Sequence, residues 1–155
     1  MRVTRHRYRA KRKDNGAWIE GYYVLLHKTT IGIGEEPADN AVHQIVYERM
    51  TDWNLPNNWF RVEVDPNTVC QCTGLRDNNG KYIYEGDIIK HFDGSDLGYD
   101  IGVVKWDDSA CSYHRTTDTK QYTRHCGMAQ GCRYEVIGNI FDNPELLEEW
   151  HHDKR

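Results

Sequence analysis

The chain has 155 residues, 38% of them hydrophobic and 28% charged, with a formal net charge of −4 and five cysteines. A chain of this length makes one domain or two small ones and buries roughly 68–70% of its unfolded surface, enough for a core without disulfide staples. The composition excludes a disordered chain. No apolar run approaches the ~20 residues that span a bilayer, and the N-terminus lacks a signal-peptide core, so a cytoplasmic protein away from membranes is expected.

Aromatic residues make up 12% of the chain, with ten tyrosines and five tryptophans against three phenylalanines. Such side chains suit the pleated faces of strands and also suit adhesive surfaces. Residues 3–10 alternate polar and apolar, Asp14-Asn15-Gly16 is a turn signal, and residues 17–26 form an apolar run, which together predict an N-terminal hairpin. Gly21 inside that run marks a bulge or a close backbone approach. Basic residues crowd this region. Arg5, Arg7, Arg9, Lys11, Arg12 and Lys13 could contact nucleic acid. Alternatively, Arg5, Arg7 and Arg9 form the solvated face of an edge strand, where positive charge also blocks edge pairing.

Gly32, Gly34 and Pro37 punctuate a loop over residues 31–40. The β-branched content of residues 41–50 favours a strand over a short helix. Residues 52–58 read as a loop, residues 60–64 as a short strand and Pro66 as the start of a turn. In residues 69–73, Val69, Gln71 and Thr73 alternate with Cys70 and Cys72, which places both thiols on one strand face, ~7 Å apart.

The most sharply patterned stretch is Thr73 to Lys90. Asn79-Gly80 predicts a two-residue hairpin loop of the primed type, which needs positive φ. Residues 81–84 then alternate as a strand. Glu85-Gly86-Asp87 bends the chain, and residues 88–92 resume an apolar strand. Residues 101–106 form a further strand. Residues 107–131 are polar and read as a long irregular loop, a candidate for mobility or function. Residues 133–141 form the last strand. Asn143 caps a helix, with Pro144 at its first position and Glu145 at the positive end of the dipole. Leu146, Leu147 and Trp150 share its apolar face.

Two of these stretches resemble the YopX-like family of phages and prophages. Thr73-Gly-Leu-Arg-Asp-Asn-Asn-Gly-Lys-Tyr-Ile-Tyr-Glu-Gly-Asp-Ile-Ile89 is similar to its TGLKDKNGKEIYEGDIV signature. Glu135-Val-Ile-Gly-Asn-Ile-Phe-Asp-Asn-Pro-Glu-Leu-Leu147 is similar to its closing EVIGNIYENPELL. The N-terminal hairpin and Gly102-Val-Val-Lys-Trp106 fit the pattern between and before them. The resemblance implies a mostly β protein with a small barrel built on the Glu-Gly-Asp strand, in a prophage setting, and implies no reaction.

Candidate chemistry divides into few groups. Glu85, Asp87, Asp107 and Asp108 could pair for acid–base or metal work; the mechanical alternative gives Gly86 to the bend and Asp87 to the turn. Cys111, His114, Cys126 and Cys132 share one segment, and Cys111-x-x-His114 has zinc-compatible spacing, although no second such pair completes a four-ligand pattern. A nucleophilic Cys126 with His125 or His114 lacks a recognisable orienting group. No phosphate loop, dinucleotide fingerprint or nucleophile elbow is present. Gly74, Gly80, Gly86, Asp87, Gly138, Asn139, Asn143 and Pro144 carry structural roles.

The expected fold is mainly β: residues 1–66 as an N-terminal β region and residues 67–155 as an SH3-like barrel with a short C-terminal helix, or one continuous domain. The expected function is binding without catalysis or cofactor, through homo-oligomers or a phage or host macromolecule. The alternatives are nucleic-acid binding through the basic strand and barrel face, and zinc binding through the Cys/His segment.

Overall fold

Strands β1 (Tyr8–Lys11) and β2 (Trp18–His27) form the predicted N-terminal hairpin, with Tyr8 opposite Gly21 and Lys11 opposite Trp18. The computed structural model describes residues 6–27, 41–50, 57–92, 99–118, 123–128 and 133–147, with the backbone alone at 117–118 and 123–127. The loop expected at residues 31–40, most of that at 52–58, Arg5 and Trp150 lie outside the described residues. The chain forms two units, His6–Gln71 and Cys72–Arg155, and its strands form two antiparallel sheets.

In the first unit, β3 (Ala41–Arg49) pairs with β2, and β4 (Asn58–Glu63) pairs with β3. Strand β5 (Cys70–Arg76) begins alongside β1, with Arg9 opposite Cys70. Strand β1 is thus paired on both sides. The edge-strand reading of its arginines is corrected: the second neighbour comes from sixty residues away, beyond the reach of local pattern. Asp65 accepts the Asn67 amide at 3.0 Å and starts a 3-10 turn over Pro66–Thr68. The Thr68 hydroxyl in turn accepts the Lys11 amide at 2.8 Å.

One face of this sheet is apolar. Ala10, Ile45 and Val64 are fully buried there, and Tyr8, Ile19, Tyr23, Val62 and Val69 pack against them. Gly21 belongs to this face, where an added Cβ would lie 2.3 Å from the Val46 carbonyl oxygen. Close backbone approach, rather than a bulge, is what the glycine permits; the β1–β2 register runs through it without a shift.

The second unit is built on a five-stranded sheet. Its order is β10-β9-β8-β7-β11, from β7 (Asp87–Phe92), β8 (Tyr99–Asp107), β9 (Ser112–Asp118), β10 (Thr123–Gly127) and β11 (Arg133–Asn139). The order is open at both ends among the described residues. Within the expected loop of residues 107–131, Ser112–Asp118 and Thr123–Gly127 are corrected to paired strands: Thr123 pairs with Asp118 and Gly127 with His114. The polar residues hid the strands because one inward position is a charge. Arg115 is only 4% exposed and lies 3.6 Å from Asp100.

Both faces of this sheet are covered. On one, Ile89, Val104 and Tyr134 join Ile83, with Leu75, Tyr113, Met128 and Val136 around them. On the other, Ile88, Ile101 and Val103 meet Ile137, Leu146 and Leu147. Full burial of each such aliphatic side chain contributes roughly 1.5–3 kcal/mol. The helical residues 145–147 dock because Gly138 has no side chain; a Cβ there would sit 2.8 Å from Leu146 Cδ1 and from Asn143 Oδ1.

Strand β6 (Tyr82–Tyr84) returns along β5. The register shifts between Cys72 and Arg76, where Gly74 has φ +82°. The Thr73 hydroxyl spans the irregularity, donating to the Ile83 carbonyl at 2.9 Å and accepting the Leu75 amide at 3.1 Å. The primed two-residue turn is also corrected. Gly80 has φ +80°, but no positive φ occurs at Asn79, as the primed turn would need. The loop closes instead between Asp77 and Lys81, whose carbonyl accepts the Asp77 amide at 2.8 Å.

Candidate functional site

Alternation along the first unit's strands puts Arg9, Lys11, Trp18, Glu20, Tyr22, Trp59 and Arg61 on the face opposite the apolar one. Their contacts agree. The Arg9 guanidinium lies 4.8 Å and the Lys11 ammonium 5.5 Å from the Trp18 ring centroid, close enough for cation–π attraction. Arg7 lies 3.6 Å from Glu20, and Tyr22 and Trp59 have ring centroids 6.2 Å apart. Trp59 is 59% and Tyr22 48% exposed.

The basic residues named from the sequence therefore differ in availability. Arg9 is 8% exposed. Arg12 is committed to Asp14, its Nε donating at 2.9 Å, and this bond holds the Asp14 carboxyl below the usual carboxylate range. Lys13 is exposed, and its backbone amide donates to the Glu63 carbonyl at 3.0 Å. On the apolar face, the Tyr23 hydroxyl meets His43 Nδ1, and burial, with Tyr8 beside it, pushes the Tyr23 phenol upward.

Cys111 and His114 lie at the start of the β9–β10 hairpin. Cys111 is exposed in a turn with φ +48°, its thiol donating to the Asp108 carbonyl at 3.4 Å. His114 Nε2 is 2.9 Å from the Ser112 hydroxyl, and its Nδ1 is 3.9 Å from Asp107. Cys126 stands opposite Arg115 in the ladder, and Cys132 lies outside the described residues. No group of three or more His, Cys, Asp or Glu side chains that could hold a metal ion occurs among the described residues.

The carboxylates named from the sequence have separate duties. Asp87 is fully buried and accepts the Tyr84 amide at 2.8 Å, closing the bend at Gly86, whose φ is +77°. Glu85 accepts the Trp106 amide at 3.4 Å and Asp108 accepts the Trp106 indole N–H at 2.9 Å. Asn139 caps the next turn, its Oδ1 accepting the Phe141 and Asp142 amides at 3.0 Å. The Asn143 carbonyl then accepts from Leu146, and that of Pro144 from Leu147, both at 3.2 Å.

Sequence reading passed over Asp77, which the adjacent Asn-Gly masked. Its Oδ1 accepts the Asn79 and Lys81 amides at 2.9 Å, and its Oδ2 accepts the Val136 amide at 3.3 Å. The Asn78 amide adds a 2.8 Å bond to the Tyr134 carbonyl. An aspartate immediately before a turn, two residues ahead of its anchor, was the available signal.

These features define a mainly β protein of two antiparallel sheets whose two patterned signatures lock onto each other; no helix among the described residues is long and apolar enough to cross a membrane. Residues 7–148 match the family model described as YopX protein, and the chain belongs to that family. No curated protein matches it.

Proposed function

We propose that the protein acts by binding a macromolecule through its N-terminal sheet. One observation carries this reading: Tyr22, Leu26 and Trp59, on one face of β2 and β4, are large apolar side chains left exposed. Exposed aromatic and aliphatic clusters of this kind are typical of interaction surfaces. The setting that best suits it is a prophage-encoded protein in the bacterial cytoplasm, with either its own copies or a phage or host macromolecule as partner. The β5–β6 hairpin over Ile89 and Val104 is compatible with an SH3-like core. The test compares wild type with Tyr22→Ser/Trp59→Ser in light scattering and in capture from a bacterial lysate, with captured protein and nucleic acid both measured. Retention that the double variant loses supports the reading; a monomer that retains nothing overturns it.

A second reading is nucleic-acid binding, favoured by the stacking of Arg9 and Lys11 over Trp18. Aromatic rings with flanking cations bind single strands by base stacking and phosphate contact. It predicts affinity for a single-stranded oligonucleotide that falls steeply with salt and drops on Lys11→Ala/Lys13→Ala. Absence of binding at low salt removes it.

A further inference from the structure

We propose that β4 pairs antiparallel with β4 of a second copy of this chain, in the one register that sets Phe60 against Phe60 across a two-fold axis. The inference rests on the binding reading above and narrows the partner to the chain itself.

Strand β4 has β3 as its only ladder partner among the described residues, and it stands at the end of the strand order. Its residues, Asn58-Trp-Phe-Arg-Val-Glu63, include no proline, and its register with β3 has no bulge. Those are two of the devices by which natural sheets protect an edge; a third, charged side chains, is present at Arg61 and Glu63, and the proposed register sets Arg61 against an indole rather than a like charge.

The direction of its free backbone groups follows from parity. The Val64 amide donates to the His43 carbonyl at 3.0 Å. Val64/His43 is therefore a hydrogen-bonded pair, and so, at alternate positions, are Val62/Ile45 and Phe60/Tyr47. The N–H and C=O groups of Trp59, Arg61 and Glu63 consequently point away from β3. The Glu63 carbonyl confirms the direction, because it accepts the Lys13 amide at 3.0 Å. Trp59 and Arg61 thus present the edge to a partner strand.

An antiparallel second copy must set outward residues against outward residues, which leaves three arrangements of Trp59 and Arg61. Trp59 on Trp59, or Arg61 on Arg61, makes a single hydrogen-bonded pair of these residues, and the latter also opposes two guanidinium groups. Trp59 on Arg61 makes two such pairs, with four backbone hydrogen bonds within β4. It also places each guanidinium beside the indole of the other copy, the kind of contact Arg9 already makes with Trp18. Phe60, 37% exposed and stacked on Tyr47 at 5.7 Å, then meets Phe60 of the second copy in a non-hydrogen-bonded pair, at a Cα separation of about 4.5 Å.

The test is sedimentation velocity of the full chain across micromolar concentrations. A dimer that dissociates on dilution is expected. Arg61→Pro removes an outward N–H without costing a β3 bond and should abolish the dimer with the melting temperature retained. Arg61→Glu, which keeps the backbone intact, should weaken it about tenfold through the lost cation–π pairs. In a Cys111→Ser/Cys126→Ser/Cys132→Ser background, Phe60→Cys should form an intermolecular disulfide on mild oxidation and Trp59→Cys should not. A monomer at every concentration, a dimer indifferent to both Arg61 variants, or cross-linking at Trp59→Cys in place of Phe60→Cys overturns the proposal. A monomer that still retains a macromolecule through Tyr22 and Trp59 overturns self-pairing alone; one that retains nothing overturns both readings.

Discussion

The Asp77 carboxylate accepts the backbone amide of Val136 at 3.3 Å across 59 residues of sequence. It joins the first patterned stretch of the chain to the last. The same two stretches meet again where the Ile140 amide donates to the Gly86 carbonyl at 3.0 Å and where β7 pairs with β11. Each signature is the other's packing partner, which accounts for their regularity.

Asp77→Ala should destabilise the protein by about 2–4 kcal/mol, since three amides lose a charged acceptor. Asp77→Asn keeps one acceptor oxygen but turns the other position into a donor facing an amide, and should cost about half as much. Urea unfolding curves measure both. A loss below about 0.5 kcal/mol for the alanine variant contradicts the role assigned here.

Gly21→Ala should be the most damaging glycine substitution. The new methyl would meet the Val46 carbonyl oxygen and Ile45 Cγ2 at 2.3 and 2.8 Å, so the β2–β3 ladder must move, at a cost of about 3 kcal/mol or more. Gly80→Ala meets nothing within 4 Å and bears only the strain of its φ of +80°, about 1–2 kcal/mol. Thermal melts of the two variants should rank accordingly.

Cys111 is the reverse case, a side chain held at φ +48°. Cys111→Gly should leave stability unchanged or raise it by up to about 1 kcal/mol as left-handed strain is relieved. A melting temperature several degrees lower would show that the thiol's bond to the Asp108 carbonyl matters more.

Tyr23 should give the protein an alkaline limit. Burial raises its phenol above the ordinary value of 10.0, so the fold favours the protonated ring. That contribution is whole below about pH 10 and is lost as pH rises through the higher folded value. Tyr23→Phe removes this dependence. Urea midpoints measured from pH 8 to 11 should fall less steeply in the variant than in wild type.

Much of the fold was legible because it rests on local geometry. Gly86 and Asp87 declare a bend, and Asn143-Pro144 a helix start, whatever surrounds them. What stayed hidden depended on distant partners. The burial of Arg115 breaks the apolar alternation that reveals strands, and its neutralising Asp100 lies on β8, not in β9 itself. The interior position of β1 depends on Cys70, and the exposed aromatic pair on Trp59 meeting Tyr22 from two strands away. The Asp77 turn shows a subtler limit: Asn79-Gly80 signalled a turn correctly, while the carboxylate that organises it stood two residues ahead of that dipeptide.

The Asp77–Val136 bond also sets an order of events during synthesis. Residues 6–71 contain every ladder partner their own strands need, so that unit can fold while the rest of the chain is still being made. The second unit cannot finish early. Strand β7 waits for β11, and the buried Asp77 waits for an amide that leaves the ribosome about sixty residues later. Through that interval Ile88 and Ile89 lack one of their ladder neighbours, the state in which a nascent β protein is most exposed to aggregation. A ribosome stalled before residue 133 therefore holds one folded unit and one adhesive, unfinished one.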